Sequence, residues 1–142
     1  MKSVSDEGKA VDQFSVVRYH GVASIRKMMD DKQYVEAFVH AQLAIEKVLW
    51  DKIVGVFSGE KAMKVRGAID DWHKEKGNTT RTSELLKWAR LLEAIDIEDC
   101  KNLSEFNKMR NRIVHRHGQW WFSNNYVTAL KKGIRFLENN GF

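Results

Sequence analysis

No proline interrupts any of the 142 residues. Proline lacks a backbone N–H and clashes with the preceding helical turn, so its absence removes a common reason for helices to stop or kink. A chain of this kind can run long helices and is poorly suited to a loop-rich β-sandwich. Its apolar residues recur at steps of three and four, the period of one helix face, and no useful segment alternates at the strand period.

Residues 1–11 are polar and read as a frayed end. Asp12 is placed to cap a helix reaching about Met29 through Phe14, Val17, Val22 and Ile25. Tyr34 to Phe57 is the strongest helix. Val35, Phe38, Ala41, Ala44, Ile45, Val48, Leu49 and Ile53 give it an apolar face wide enough for the centre of a bundle, with Gly59 as its stop. Glu60 to Lys76 reads as a shorter amphipathic helix through Ala62, Met63, Val65, Ala68, Ile69 and Trp72, closed by Gly77-Asn78. Ser83 caps a helix from Glu84 to about Ile95. Another runs from near Glu98 to about His117 and stops at Gly118, and Asn124 or Asn125 opens the last, through Val127, Leu130, Ile134 and Leu137. The expected fold is all-α: a single domain, one bundle of five or six helices.

Composition narrows the function classes. Hydrophobic content of 43% and charged content of 30% describe an ordinary globular chain, not a disordered one. No apolar run approaches membrane length, and Met1-Lys2-Ser3-Val4-Ser5-Asp6 is too polar for a secretory signal. The single cysteine, Cys100, fits a reducing compartment, so a cytoplasmic location without membrane contact is expected. Charge is unevenly placed. Residues 1–100 hold 16 Lys+Arg against 17 Asp+Glu, whereas residues 101–142 hold 8 against 2. That excess suits a polyanion such as RNA, and equally a solubilising surface.

The polar chemistry concentrates in Met109-Arg110-Asn111-Arg112-Ile113-Val114-His115-Arg116-His117. Leu103, Phe106, Met109, Ile113 and Val114 mark the apolar stripe of this helix, and Arg110 projects from inside it. An arginine there is costly unless a carboxylate, a phosphate or another subunit satisfies it. Asn111 and His115, four residues apart, share the flank. Against a site stands the plainer reading of a surface Arg-Asn and a histidine suited to a helix C-terminus.

Other chemistries find less support. His115 and His117 fall on opposing sides of a helix, and with one cysteine and no HExxH no metal site is expected. No glycine-rich phosphate loop is present, Cys100 has no partner for nucleophilic work, and no cofactor is expected. Trp120-Trp121-Phe122 could stack bases, but aromatics at a bundle end more often serve a core or an interface.

Arg110-Asn111-Arg112-Ile113-Val114-His115 resembles the R-N-x-x-x-H form of the motif that marks the HEPN superfamily. The helix Phe38-Val39-His40-Ala41-Gln42-Leu43-Ala44-Ile45-Glu46-Lys47-Val48-Leu49 resembles that family's earlier helix, with an A-x-x-A-I-E-K-x-L pattern. Together the two span most of the chain from about residue 34 to His117, in the family's order.

The resemblance implies a HEPN-like helical bundle that homodimerises through the motif helix around one composite cleft. It implies a metal-independent endoribonuclease, in a toxin–antitoxin, phage-defence or RNA-processing setting, with RNA as substrate and an antitoxin or other regulatory protein as partner. The RNA 2′-hydroxyl would be the nucleophile, His115 a general base or acid, and Arg110 the phosphate clamp; Asn111 would orient His115 or a phosphate oxygen. Arg112, Arg116 and His117 would contact the RNA backbone or share the work, and Glu46 would pair with Arg110 and hold it. In one toxin branch the motif continues R-N-x-x-x-H-x-Y, and that tyrosine is nucleotidylated. Here the position is His117, so that mode of control is not implied. Two alternatives accompany the enzyme reading: a catalytically silent HEPN module that binds a nucleotide or a partner protein, and a basic helical nucleic-acid-binding protein without chemistry.

Overall fold

A computed structural model describes residues 21–75, 81–115 and 124–142. Among them every regular element is a helix: α1 Val22–Asp30, α2 Tyr34–Gly55, α3 Gly59–Glu75, α4 Thr82–Leu91, α5 Ile97–His115 and α6 Asn124–Asn139. The all-α bundle read from the sequence is the fold, with six helices among the described residues. Asp12 as a cap, Gly77-Asn78, Gly118 and Trp120-Trp121-Phe122 lie outside the described residues.

Helix α2 is the centre of the bundle and touches each of the other five. It buries Phe38, Ile45, Leu49 and Ile53 together with Ala37, Ala41 and Ala44, whose small side chains let neighbouring helices come close. Phe38 stacks on Phe106 of α5 with ring centroids 5.2 Å apart. Helix α6 closes on the same spot because it carries Gly133 there. A Cβ at that position would lie 2.7 Å from Phe106 Cδ2 and 3.2 Å from Ile45 Cδ1. The glycine is required by close approach, not by backbone torsion.

Several helix boundaries differ from expectation. Gly59 does not end α2. That helix stops at Gly55, Val56 and Phe57 hang on short turns to Ile53 and Val54, and Gly59 opens α3 with φ +61°. Ser83 is not a cap but a first-turn residue of α4, donating to Glu84 Oε2 at 2.8 Å, while Glu84 Oε1 accepts the Arg81 N–H at 2.9 Å. Helix α4 also ends early, at Leu91. Glu93 turns left-handed (φ +57°), and the N–H groups of Ala94 and Glu93 return to the carbonyls of Ala89 and Arg90. Ile95 is buried in the connection that follows, and Asp96 Oδ1 then caps α5 by accepting the Asp99 N–H at 2.7 Å.

Helix α3 is the least embedded. It buries only Ile69 and His73, whereas Met63 and Trp72, expected on its apolar face, are 81% and 47% exposed. Among the described helices its backbone comes close only to that of α2, and α4 reaches it through the Trp88 side chain, so only one narrow stripe is covered. Trp88 of α4 reaches across and donates its indole N–H to His73 Nε2 at 3.3 Å.

Candidate functional site

Helix α5 carries the motif, and its two halves are embedded differently. Leu103 and Phe106 are fully buried, while Met109 and Ile113, next on the same stripe, are half-buried against the edge of the core. Arg110 lies where the stripe leaves the core. Its side chain is half-buried, its Nε is shielded from solvent with no hydrogen-bond partner among the described residues, and its Nη1 donates to Asn111 Oδ1 at 3.1 Å. A buried donor without an acceptor costs roughly 1–3 kcal/mol, less where the rest of the group is solvated. Arg110 is therefore a strained placement rather than a stabilising one.

Asn111 and Arg112 are exposed on the outer side of α5. Asn111 turns its carboxamide oxygen toward Arg110, which leaves its –NH2 as the outward donor. His115 is the last residue of α5; its side chain, with Arg116 and His117, lies outside the described residues. The structure thus brings Arg110 and Asn111 together and places His115 one turn beyond Asn111 on the backbone.

The expected pair between Glu46 and Arg110 is not formed. Glu46 Oε2 accepts the Thr82 hydroxyl at 2.5 Å and the Gln42 amide at 3.4 Å, and Gln42 also donates to Thr82 Oγ1 at 2.9 Å. Thr82 is 1% exposed, so its hydroxyl needs an acceptor inside the protein, and Glu46 supplies it. This carboxylate ties α2 to the start of α4, a role invisible in the A-x-x-A-I-E-K-x-L pattern.

At the opposite end of α5 the carboxyl of Asp99 is held above its ordinary value. Partial burial is the main cause and the neighbouring Asp96 the next; Lys52 opposes both, and Glu98 adds a little more. On α5, Lys108, Arg110 and Arg112 lie toward the motif end.

Residues not singled out from sequence complete the picture. Asn107 precedes Asn111 by one turn and Ser104 precedes Asn107, so Ser104, Asn107, Asn111 and the backbone of His115 follow one flank of α5. Both Ser104 and Asn107 line an open groove of about 750 Å³ against α4. A polar i, i+3, i+7, i+11 spacing was the available signal, overshadowed by the apolar stripe beside it. Among the described residues, no group of three or more His, Cys, Asp or Glu side chains could hold a metal ion, and no helix is long and apolar enough to cross a membrane. No family model, no curated protein and no solved structure matches the chain.

Proposed function

We propose that the chain is a metal-independent endoribonuclease whose site is built from Arg110, Asn111 and His115. The observation that carries this reading is Arg110: a guanidinium on the core-facing stripe, with a buried Nε unsatisfied among the described residues, turned toward the adjacent Asn111. A guanidinium held on this stripe with an unmet donor is well explained by an anion it has to meet.

In the proposed reaction the RNA 2′-oxygen attacks the neighbouring phosphorus and the bond to the 5′-oxygen breaks, leaving a 2′,3′-cyclic phosphate. His115 takes the 2′-hydroxyl proton or delivers one to the departing oxygen, as an imidazole is suited to do near neutral pH. Arg110 stabilises the charge that builds on the phosphoryl oxygens. Asn111, with its oxygen on Arg110, offers its –NH2 to a phosphate oxygen. Arg112 and Arg116 add backbone contacts. Two copies pairing along the motif half of α5 would cover Met109 and Ile113, which the single chain leaves half-buried, and would bring two motifs to one cleft.

The deciding experiment is cleavage of a structured RNA in EDTA by wild type, His115→Ala and Arg110→Ala, each confirmed to be folded by circular dichroism. The expected outcome is chelator-resistant cutting by wild type with cyclic phosphate ends, and a loss of at least about a hundredfold in both variants. Wild type that leaves every RNA intact, or a His115→Ala protein that cuts equally well, overturns the reading. The second reading is a silent module in which the hydrogen-bonded Arg110–Asn111 pair binds an anion without chemistry at His115.

A further inference from the structure

Helix α5 follows the turn at Glu93 and packs on α4, and the two leave a groove of about 750 Å³ between them. Its α4 side presents Lys87 and Arg90, both exposed, and neither has an ion-pair partner among the described residues. Its α5 side presents Ser104 and Asn107. Its floor is apolar, from Leu86 and Cys100, with Leu91 standing 72% exposed at the lip. One carboxylate, Glu93, lines it. Asn107 is only about 6 Å along the helix axis from Asn111, so the α5 flank of the groove leads toward the Arg110–Asn111 pair.

Two unpaired cations on one wall, amide and hydroxyl groups on the other and an apolar floor are the parts a single nucleic-acid strand needs. Cations meet phosphates, amides meet base edges, and an apolar surface takes a base face. We infer that the α4–α5 groove binds the single-stranded RNA segment adjoining the cut, with Lys87 and Arg90 on its phosphates and Ser104 and Asn107 on base edges. This rests on the ribonuclease reading and extends it to how substrate is held. Lys87 and Arg90 are substrate-binding residues here and touch no reacting atom.

The test measures binding separately from cutting. A fluorescent all-2′-deoxy oligonucleotide, which lacks the attacking hydroxyl, is titrated by anisotropy against wild type, Lys87→Gln/Arg90→Gln and Lys131→Gln/Arg135→Gln. The last removes equal charge from the α1–α6 side of the bundle. Losing two phosphate contacts should weaken binding on the order of tenfold and reduce the slope of log affinity against log salt by about 1.4. The α6 control should change affinity less than about twofold. With RNA as substrate, the groove variant should raise KM and leave kcat near wild type.

A second readout uses the one cysteine of the sequence. Cys100 lines the groove, so saturating oligonucleotide should slow its alkylation by iodoacetamide severalfold. Equal losses in the groove and control variants, or unchanged alkylation of Cys100 under saturation, overturn the groove. The ribonuclease reading stands or falls separately, on cutting by wild type and its loss in His115→Ala. Groove-dependent binding by a protein that never cuts supports the groove and removes the chemistry.

Discussion

The two halves of α5 share one apolar stripe and live in different surroundings. In the first half Leu103 and Phe106 are completely enclosed, with Phe106 against the ring of Phe38 and under the bare backbone of Gly133. In the second half Met109 and Ile113 continue the pattern but are only partly covered, and between them Arg110 holds a buried donor with no acceptor among the described residues. The first half is arranged for stability. The second spends stability on a polar group, as functional surfaces often do. A periodic stripe predicts which side of a helix can be buried, but coverage depends on how far the neighbouring helices extend.

The contrast can be broken most forcefully at Phe106. Phe106→Ala should cost about 3–5 kcal/mol, read as a lowered urea midpoint, because it opens a cavity among Phe38, Ile45 and α6. Gly133→Ala, one methyl added where Phe106 is 2.7 Å away, should cost about 1–3 kcal/mol by the same measurement. At the other end Ile113→Ala should cost only about 1–2 kcal/mol, since part of its side chain is already in water in the single chain. Equal losses at Phe106 and Ile113 would mean that the second half is covered as well, as a dimer through it would achieve.

Arg110→Met should go the other way. It keeps the apolar stem and removes the orphaned donor, so a gain of up to about 1 kcal/mol is expected, alongside the loss of cleavage. Stability that falls by several kcal/mol instead would mark Arg110 as a structural residue.

The smallest effect belongs to Asp99. Its folded-state pKa is raised above the ordinary 3.8, so the folded protein holds that proton more tightly than the unfolded chain. The associated stability is present below about pH 4 and is lost as pH rises through the folded value. At neutral pH Asp99→Asn should therefore gain on the order of a few tenths of a kcal/mol, reduced by solvent screening, and the gain should vanish in acid.

Much of this could be read in advance. The apolar period located α2 and its buried residues from Phe38 to Ile53, and it placed Arg110 on the stripe. It could not show that Val35, on the same face one turn earlier, would stay 41% exposed, because period carries no information about neighbours. Turns misled for a different reason. Glycine predicts a helix end, yet α1 and α4 close through left-handed Lys32 and Glu93, whereas Gly59 begins a helix. Glu46 was expected to pair with Arg110, but its partner Thr82 lies 36 positions away and only the packing of α4 on α2 brings them together. The groove between α4 and α5 was illegible for the same reason, since neither helix contains it alone.

The weak seating of α3 gives the molecule its own optical gauge. Trp72 lies on α3 beside His73, Trp88 of α4 donates its N–H to His73, and Trp50 of α2 lies 4.7 Å beneath the guanidinium of Arg66. Every tryptophan among the described residues therefore looks onto the same seam. With Trp120 and Trp121 replaced by phenylalanine, emission should shift to the red as α3 detaches, ahead of the loss of helical ellipticity, so that light and secondary structure report two separate events.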